Sequence, residues 1–450
     1  MYKKYFLAFL FLVFALINQN AFSQWTFAGF VTGAGTFPSI SVAGPNLVAV
    51  FGGPNGSPQV FVSTNGGANF TSATGTGLGA LELYCGWMSS ATEMYGGNGG
   101  ASGGAGGNAS FYRTTDGGTT WSTVLSTGGT GGFFNAITFS KTTPTFGVAQ
   151  SDPPTGAGQQ YYFPVTTNGG ANWSVTNPPG VSGAASAQNS VVVIDNQFYG
   201  FGLNAGASRV YYTSNGGSTW VIGNLGITGS FTSGYAMSDN KMNGIAATNT
   251  SLPSIARTTN GGTSWTSSTI TGLSGYATCK WIEGTNICYV SAGAGASGVI
   301  AKSTDGGQTF TVMTTAGLTG ITHMEFYRSG NDIYGYAVAG DGSVLKLVDN
   351  VTGVVNNNTG VPTEYKLSQN YPNPFNPSTT INFSIPKASY VTLKVYDVVG
   401  KEVASIISRD LQAGNYTEQF VASSNLSSGV YFYQLIAGDF SQTKKFILNK

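Results

Sequence analysis

The chain has 450 residues, only 8% of them charged, and its 19 Lys and Arg nearly balance 18 Asp and Glu. No basic stripe stands out, which excludes nucleic acid as a partner class. Aromatic residues at 13% supply core material despite the sparse charge, and 66 glycines, clustered in stretches such as 96–107, exclude long helices.

Residues 1–23 read as an export signal. Lys3 and Lys4 form the charged end, residues 5–17 an apolar run, and Ala21-Phe22-Ser23 offers small residues before a cut ahead of Gln24. The run is shorter than the ~20 residues a membrane span needs. No later stretch is long and apolar enough, so the mature chain is expected outside the cytoplasm, with no membrane span.

From residue 25 to 350 one phrase sets the rhythm. A hydroxyl residue, a second polar residue, Asn or Asp, then Gly-Gly recurs six times, at Asn65, Asp116, Asn168, Asn215, Asn260 and Asp305. Each copy carries an aromatic five residues on: Phe70, Trp121, Trp173, Trp220, Trp265 and Phe310. Asn or Asp can bond its own backbone, and Gly-Gly supplies the positive φ of a tight hairpin. The spacings are 51, 52, 47, 45 and 45 residues. A period near 45 holds one four-stranded sheet, which reads as a propeller blade. One more step lands on Asn350, in a worn seventh copy at 348–353.

Blade 2 is predicted at 81–87, 93–96, 110–114 and 120–124, and blade 6 at 276–281, 287–290, 299–302 and 309–312. Blade 7 has strands at 322–327, 333–337 and 344–347 but lacks a fourth. Gln24-Trp25-Thr26-Phe27 has the spelling of the strand that follows the phrase. It is therefore predicted to complete blade 7, closing a ring of seven blades and removing an exposed sheet edge. The phrase resembles the Asp-box (bacterial neuraminidase) repeat of sialidases and other secreted propellers, a resemblance that implies a seven-bladed β-propeller. The free exchange of Asp for Asn marks the six positions as structural rather than catalytic or calcium-binding.

Cys85 and Cys279 are predicted in the same slot of the innermost strands of blades 2 and 6, with Cys288 on the strand beside Cys279. A Cys279–Cys288 disulfide and buried free thiols both remain open. Three scattered cysteines and a single histidine give no metal-binding pattern, and no metal or cofactor is expected.

Near residue 355 the texture changes. Residues 354–362 read as a polar linker ending in Pro362, after a propeller at 24–353. In the tail, 363–450, the alternation of Val391, Leu393 and Val395 marks half-buried strands of a small immunoglobulin-like β-sandwich. Its Tyr371-Pro-Asn-Pro-Phe-Asn-Pro-Ser-Thr379, Val395-Tyr-Asp-Val-Val-Gly-Lys-Glu-Val403, Ser428-Gly-Val-Tyr-Phe-Tyr-Gln-Leu435 and lysine-flanked final strand match a known family in order. The tail resembles the C-terminal type A sorting domain of the type IX secretion system of Bacteroidetes. That resemblance implies the type IX machinery as a partner. It also implies removal of the tail, with release or attachment to surface lipopolysaccharide.

Innermost-strand starts and the loops before them are expected to form the propeller's mouth, opposite the repeated phrases. The candidates there are Glu82, Asn135, Gln188, Tyr235, Tyr276, His323 and Glu325. A sialidase of the resembling family uses three arginines on the substrate carboxylate. The propeller has Arg113, Arg209, Arg257 and Arg328, the first three on third strands away from the axis, so that activity is disfavoured. The propellers of photosystem II assembly factors resemble this one too, but are expected to show an arginine-rich patch that is absent here. What remains is a binding, adhesion or surface-structural protein, with a glycan or another surface protein as ligand. The alternative is a secreted glycoside hydrolase or polysaccharide lyase, for which Glu82 and Glu325 are the carboxylates to test. Cells expressing the chain without residues 362–450 should retain it; fractionation that finds it outside in normal amounts would refute the sorting role.

Overall fold

A computed structural model describes residues 25–449, apart from 55, 102–106, 130, 157, 183, 205–206, 229–230, 249–253, 271–277, 292–297, 314–319, 352–354, 357–363, 388, 412–413 and 424–425. The expected export signal and Tyr276 lie outside the described residues. So do Gln24 and the core of the expected linker.

Seven antiparallel sheets follow one another along the chain, six of them built from consecutive strands. Blade 1 runs Ser39–Val42, Val48–Gly52, Gln59–Ser63 and Thr71–Ser72, from the axis outward. Blade 4 differs. Its innermost position is shared by two short strands, Ala185–Ser186 and Val192–Val193, which both pair with Tyr199–Asn204. Blade 7 takes Ile321–Ser329, Asp332–Ala339 and Ser343–Asn350 from one end of the ring and Thr26–Phe30 from the other. Thr26 pairs with Lys346 and Phe27 with Leu345, as the sequence predicts. Trp25 is 2% exposed and meets Phe326 edge-on at 5.9 Å between ring centres.

The repeated turn shows why Asp and Asn exchange freely. In blade 2, Thr114 Oγ1 donates to Asp116 Oδ1 at 2.8 Å and accepts from Gly118 N at 3.0 Å. Asp116 Oδ1 also accepts from Thr120 N at 2.9 Å. An amide oxygen performs the same task in Asn65, Asn168, Asn215 and Asn260, so a charge is not required. Gly117 and Gly118 sit at φ of 73° and 88°, where a side chain would strain the backbone.

The first glycine then bonds the hairpin joining the first two strands of its own blade. Gly117 N reaches Thr92 O at 3.0 Å, and Gly66, Gly169, Gly216, Gly261 and Gly306 make the same bond in their blades. Neighbouring blades grip these turns from the side. Tyr95 Oη donates to Gly169 O at 3.1 Å, and Arg257 Nε to Gly306 O at 2.7 Å.

Three expectations change. Asn350 ends a strand, opposite Asp332, instead of opening a turn. The fourth strand comes from the chain's other end, so the hairpin of Asp332–Ala339 with Ser343–Asn350 can lengthen. Cys85 and Cys279 do not share a slot: Met88, not Trp87, is the counterpart of Trp281, since Met94 and Cys288 each pair with the hydroxyl residue that opens the repeated turn. All three cysteines are free and buried, with Cys288 opposite Trp281 rather than Cys279. Finally, Val355–Asn356, expected within the linker, pairs with Gly414–Val421 of the tail.

The tail is a β-sandwich. One sheet orders Val355–Asn356, Gly414–Val421, Ser378–Ile385 and Lys366–Leu367; the other orders Glu402–Leu411, Ser389–Tyr396, Gly429–Ala437 and Phe440–Leu448. Val391, Leu393, Val395, Tyr433 and Leu435 alternate into the core, where Phe375 meets Phe446 edge-on at 5.0 Å. No helix among the described residues is long and apolar enough to cross a membrane.

Trp25→Ala should lower stability by roughly 3–5 kcal/mol, since it empties a filled core site. The check is a fall in urea midpoint at unchanged slope. Loss of the exposed Thr26 hydroxyl bond to Lys346 O should cost under about 1 kcal/mol.

Candidate functional site

Strand register places one residue of each innermost strand in an equivalent slot: Ser41, Trp87, Thr138, Val192, Ala236, Lys280 and Glu325. Three residues further on, blades 3 to 7 each present a charged side chain: Lys141, Asp195, Asp239, Glu283 and Arg328. Sequence reading missed this ring. Its signal was there, a charge three residues beyond a common slot in five consecutive blades, but the slot is fixed only once the bulges are known.

Two lysines converge on Glu325. Lys280 Nζ lies 2.7 Å from its Oε2, and Lys141 Nζ 3.6 Å from its Oε1. Lys141 comes from blade 3, donates to Phe326 O of blade 7 at 3.2 Å, and lies 4.9 Å from the Trp87 ring centre. Burial alone would raise the Glu325 pKa, but the two lysine charges pull it down to about 2. His323 is buried nearby. Its Nδ1 accepts from Ile40 N at 3.1 Å, and burial, aided by the Lys280 charge, lowers its pKa to about 3. It is neutral at ordinary pH.

Burial raises both Asp239 and Glu283, the former opposed by a bond from Gly284 N, the latter by the Lys141 charge. Arg328 Nη1 donates to Glu283 O at 2.6 Å. These groups border a cavity of about 80 Å³, lined by Phe139, Lys141, Val192, Met237, Lys280 and Glu325 among others. It lies toward the repeated turns. At ~10–15 Å³ per water it holds a handful of waters, whereas sites for drug-sized ligands run to ~300 Å³ or more.

At the opposite end of the axis, Gln188 crosses from blade 4 and donates through Nε2 to Tyr84 O of blade 2 at 2.6 Å. The next residue, Asn189, holds φ at 54° and donates its N–H to Asn135 O at 2.9 Å. Asn135 also donates to Asp152 Oδ1 and Ser186 Oγ, at 2.8 and 2.9 Å. Burial lifts Asp152 to about 6 against those bonds.

The expected mouth residues thus divide. Glu325 and His323 sit together on one strand, enclosed. Tyr235 borders the cavity but is 2% exposed, with a hydroxyl that finds no partner among the described residues. Glu82 lies at the other end, half-buried beside Tyr84, where burial raises its pKa. Glu82 and Glu325 are not brought together as a pair: the partners of Glu325 are lysines. Among the described residues no group of three His, Cys, Asp or Glu could hold a metal ion.

Residues 369–449 match the family model of the secretion system C-terminal sorting domain. The tail is a type IX sorting domain. It directs export to the cell surface or the extracellular space, and the type IX machinery is its partner. No curated protein matches the chain. Among solved structures, an ancestral GH74 enzyme matches with a TM-score of 0.50 at 14% identity, over 94% of this chain and 63% of that one. YCF48 bound to a D1 peptide matches at 0.49 and 14%, over 73% and 98% of the two chains. An α-L-arabinofuranosidase of Fusarium graminearum with an iminosugar inhibitor matches at 0.43 and 13%, over 74% and 98%. The first of these supports the propeller fold alone; the chain spans 63% of that enzyme's length.

His323 and Glu325 have depressed pKa values, so their contribution to stability is complete above the unfolded values, about 6.5 and 4.5, and fades as pH falls toward 3 and 2. Asp152, raised to about 6, acts in reverse: its contribution is complete below about 3.8 and is lost as pH rises through 6. Urea unfolding between pH 7 and 4 should show His323→Asn with a shallower acid limb than the parent. The difference should approach ~1.4 kcal/mol per pH unit below 6.

Proposed function

We propose that this chain is an exported surface protein of the binding, adhesion or surface-structural class, whose six repeated turns are Asp-boxes with a purely structural task. It comprises a propeller at 24–353 and a sorting tail at 363–450, with Val355–Asn356 of the expected 354–362 linker joined to the tail sheet. The tail is removed after export, and the body is then released or attached to lipopolysaccharide. The ligand class is a glycan or another surface protein, presented to a rigid ring.

What supports binding over turnover is the state of Glu325. A general acid or base must exchange a proton near working pH, and this carboxylate is held ionised between two lysines. His323 is fixed as a hydrogen-bond acceptor for the neighbouring blade. A glycoside hydrolase or polysaccharide lyase would need a second free carboxylate facing a cleft, and the axial cavity is too small to admit a sugar chain.

The test pairs two assays on the mature chain. Retention on immobilised surface polysaccharides or cell envelopes is expected, with no release of reducing ends or unsaturated products. Glu325→Gln should leave retention unchanged while lowering stability by about 1–3 kcal/mol, less than for a fully buried pair because Lys141 and Lys280 both keep some solvent contact. Turnover that disappears in Glu325→Gln or Glu82→Gln would make the protein an enzyme.

A further inference from the structure

The end of the axis away from the repeated turns carries features that the ring architecture does not require. Tyr84 and Phe133, from blades 2 and 3, hold their ring centres 4.5 Å apart at 47°. Both rings lie against the bare backbone of Gly99. A Cβ there would stand 2.5 Å from Phe133 Cε2 and 2.8 Å from Tyr84 Cε2, so any larger residue would lift the pair. Both aromatic residues keep part of their surface in solvent, and Phe37, whose carbonyl is reached by the same Gln188 amide as that of Tyr84, is 38% exposed.

Their backbone and polar surroundings are fixed too. Gln188 Nε2 donates to Tyr84 O at 2.6 Å and reaches Phe37 O at 3.5 Å. That leaves the amide oxygen of Gln188 without a hydrogen bond from any described residue. The Tyr84 side chain lies beside the Glu82 carboxylate, close enough for the two groups to interact electrostatically. Among the described residues named here, the side chains offered are aromatic rings and oxygen acceptors, with no lysine or arginine.

We infer that Tyr84, Phe133 and Phe37, with Glu82 and Gln188, form a platform for the ring of a neutral polysaccharide. A pyranose has a C–H face that packs on aromatic rings and a rim of hydroxyl donors that carboxylate and amide oxygens can accept. An acidic sugar would find no cation among these side chains to meet its carboxylate. The open, two-ring geometry suits a chain lying across the mouth rather than a small molecule enclosed in a pocket. This inference rests on the binding reading above and names its ligand.

Affinity electrophoresis of the mature chain through gels containing β-glucan, xylan or mannan tests it. At least one gel should retard the parent. Tyr84→Ala and Phe133→Ala should each weaken that retardation about tenfold, the scale of one aromatic contact. Tyr84→Phe should stay within about threefold, since it keeps the ring and gives up only the hydroxyl. Phe37→Ser, at an exposed position, and Glu82→Gln serve as variants whose folding is not at risk, and each should weaken binding with an unchanged urea midpoint. Retardation of the parent with no effect of any variant would place binding elsewhere and overturn the platform. So would retardation by anionic polymers only, or displacement by oligolysine. A chain that no gel retards but that a surface protein captures would sink the platform and leave the binding reading standing; a chain captured by neither would sink both.

Discussion

The fold depends on a hydrogen-bond hub one turn long. A hydroxyl, an Asx oxygen and two left-handed glycines close each outer hairpin, and the first glycine N–H ties it to the inner hairpin of the same blade. Two hairpins that would otherwise be neighbours in a sheet become a rigid wedge. The next blade's turn is then gripped through Tyr95 or Arg257, so the same hub spaces the blades around the ring. Aromatics fill the gaps between blades: Trp121 is buried and donates Nε1 to Ala73 O of the preceding blade at 3.0 Å. Because the hub asks of its Asx residue only an acceptor oxygen, it tolerates Asp and Asn alike.

A ring built this way draws its innermost strands close together, and the axis shows the result. Lys141 of blade 3 reaches Glu325 of blade 7, and Gln188 of blade 4 reaches Tyr84 of blade 2. Both bonds cross the axis of the ring. Burying Glu325 is tolerable only because two ammonium groups accompany it; an isolated carboxylate there would bind a proton instead. The electrostatic design at the axis is thus one of mutual neutralisation. The polar groups left over are found on the opposite mouth.

Much of this was legible in the residues. The six turns marked six blades and the spelling around Trp25 the closure of the seventh, because both are local signals tied to specific backbone geometry. The tail's alternation of Val391, Leu393 and Val395 likewise reads directly as a half-buried strand. The site was less legible. Strand starts alone place Glu325 and Tyr235 at the mouth, but both are buried once the bulges between Ile321 and His323 and between Thr232 and Gly234 shift the register. A bulge inserts one residue without a strong sequence mark, and a one-residue slip changes the side a residue faces. Lys141 escaped notice for a related reason: its partners lie four blades away, at a distance no periodicity reports.

The pairing of Thr26 with Lys346 spans 320 positions of chain. Such a contact cannot form until the last blade has emerged, and its loop-closure entropy must be met before any reward is gained. For a protein that must thread out of a cell before it works, this ordering has a use. The earliest-made strand waits unpaired for the latest-made one, so a truncated or stalled product leaves a raw sheet edge by which it can be told from a finished one.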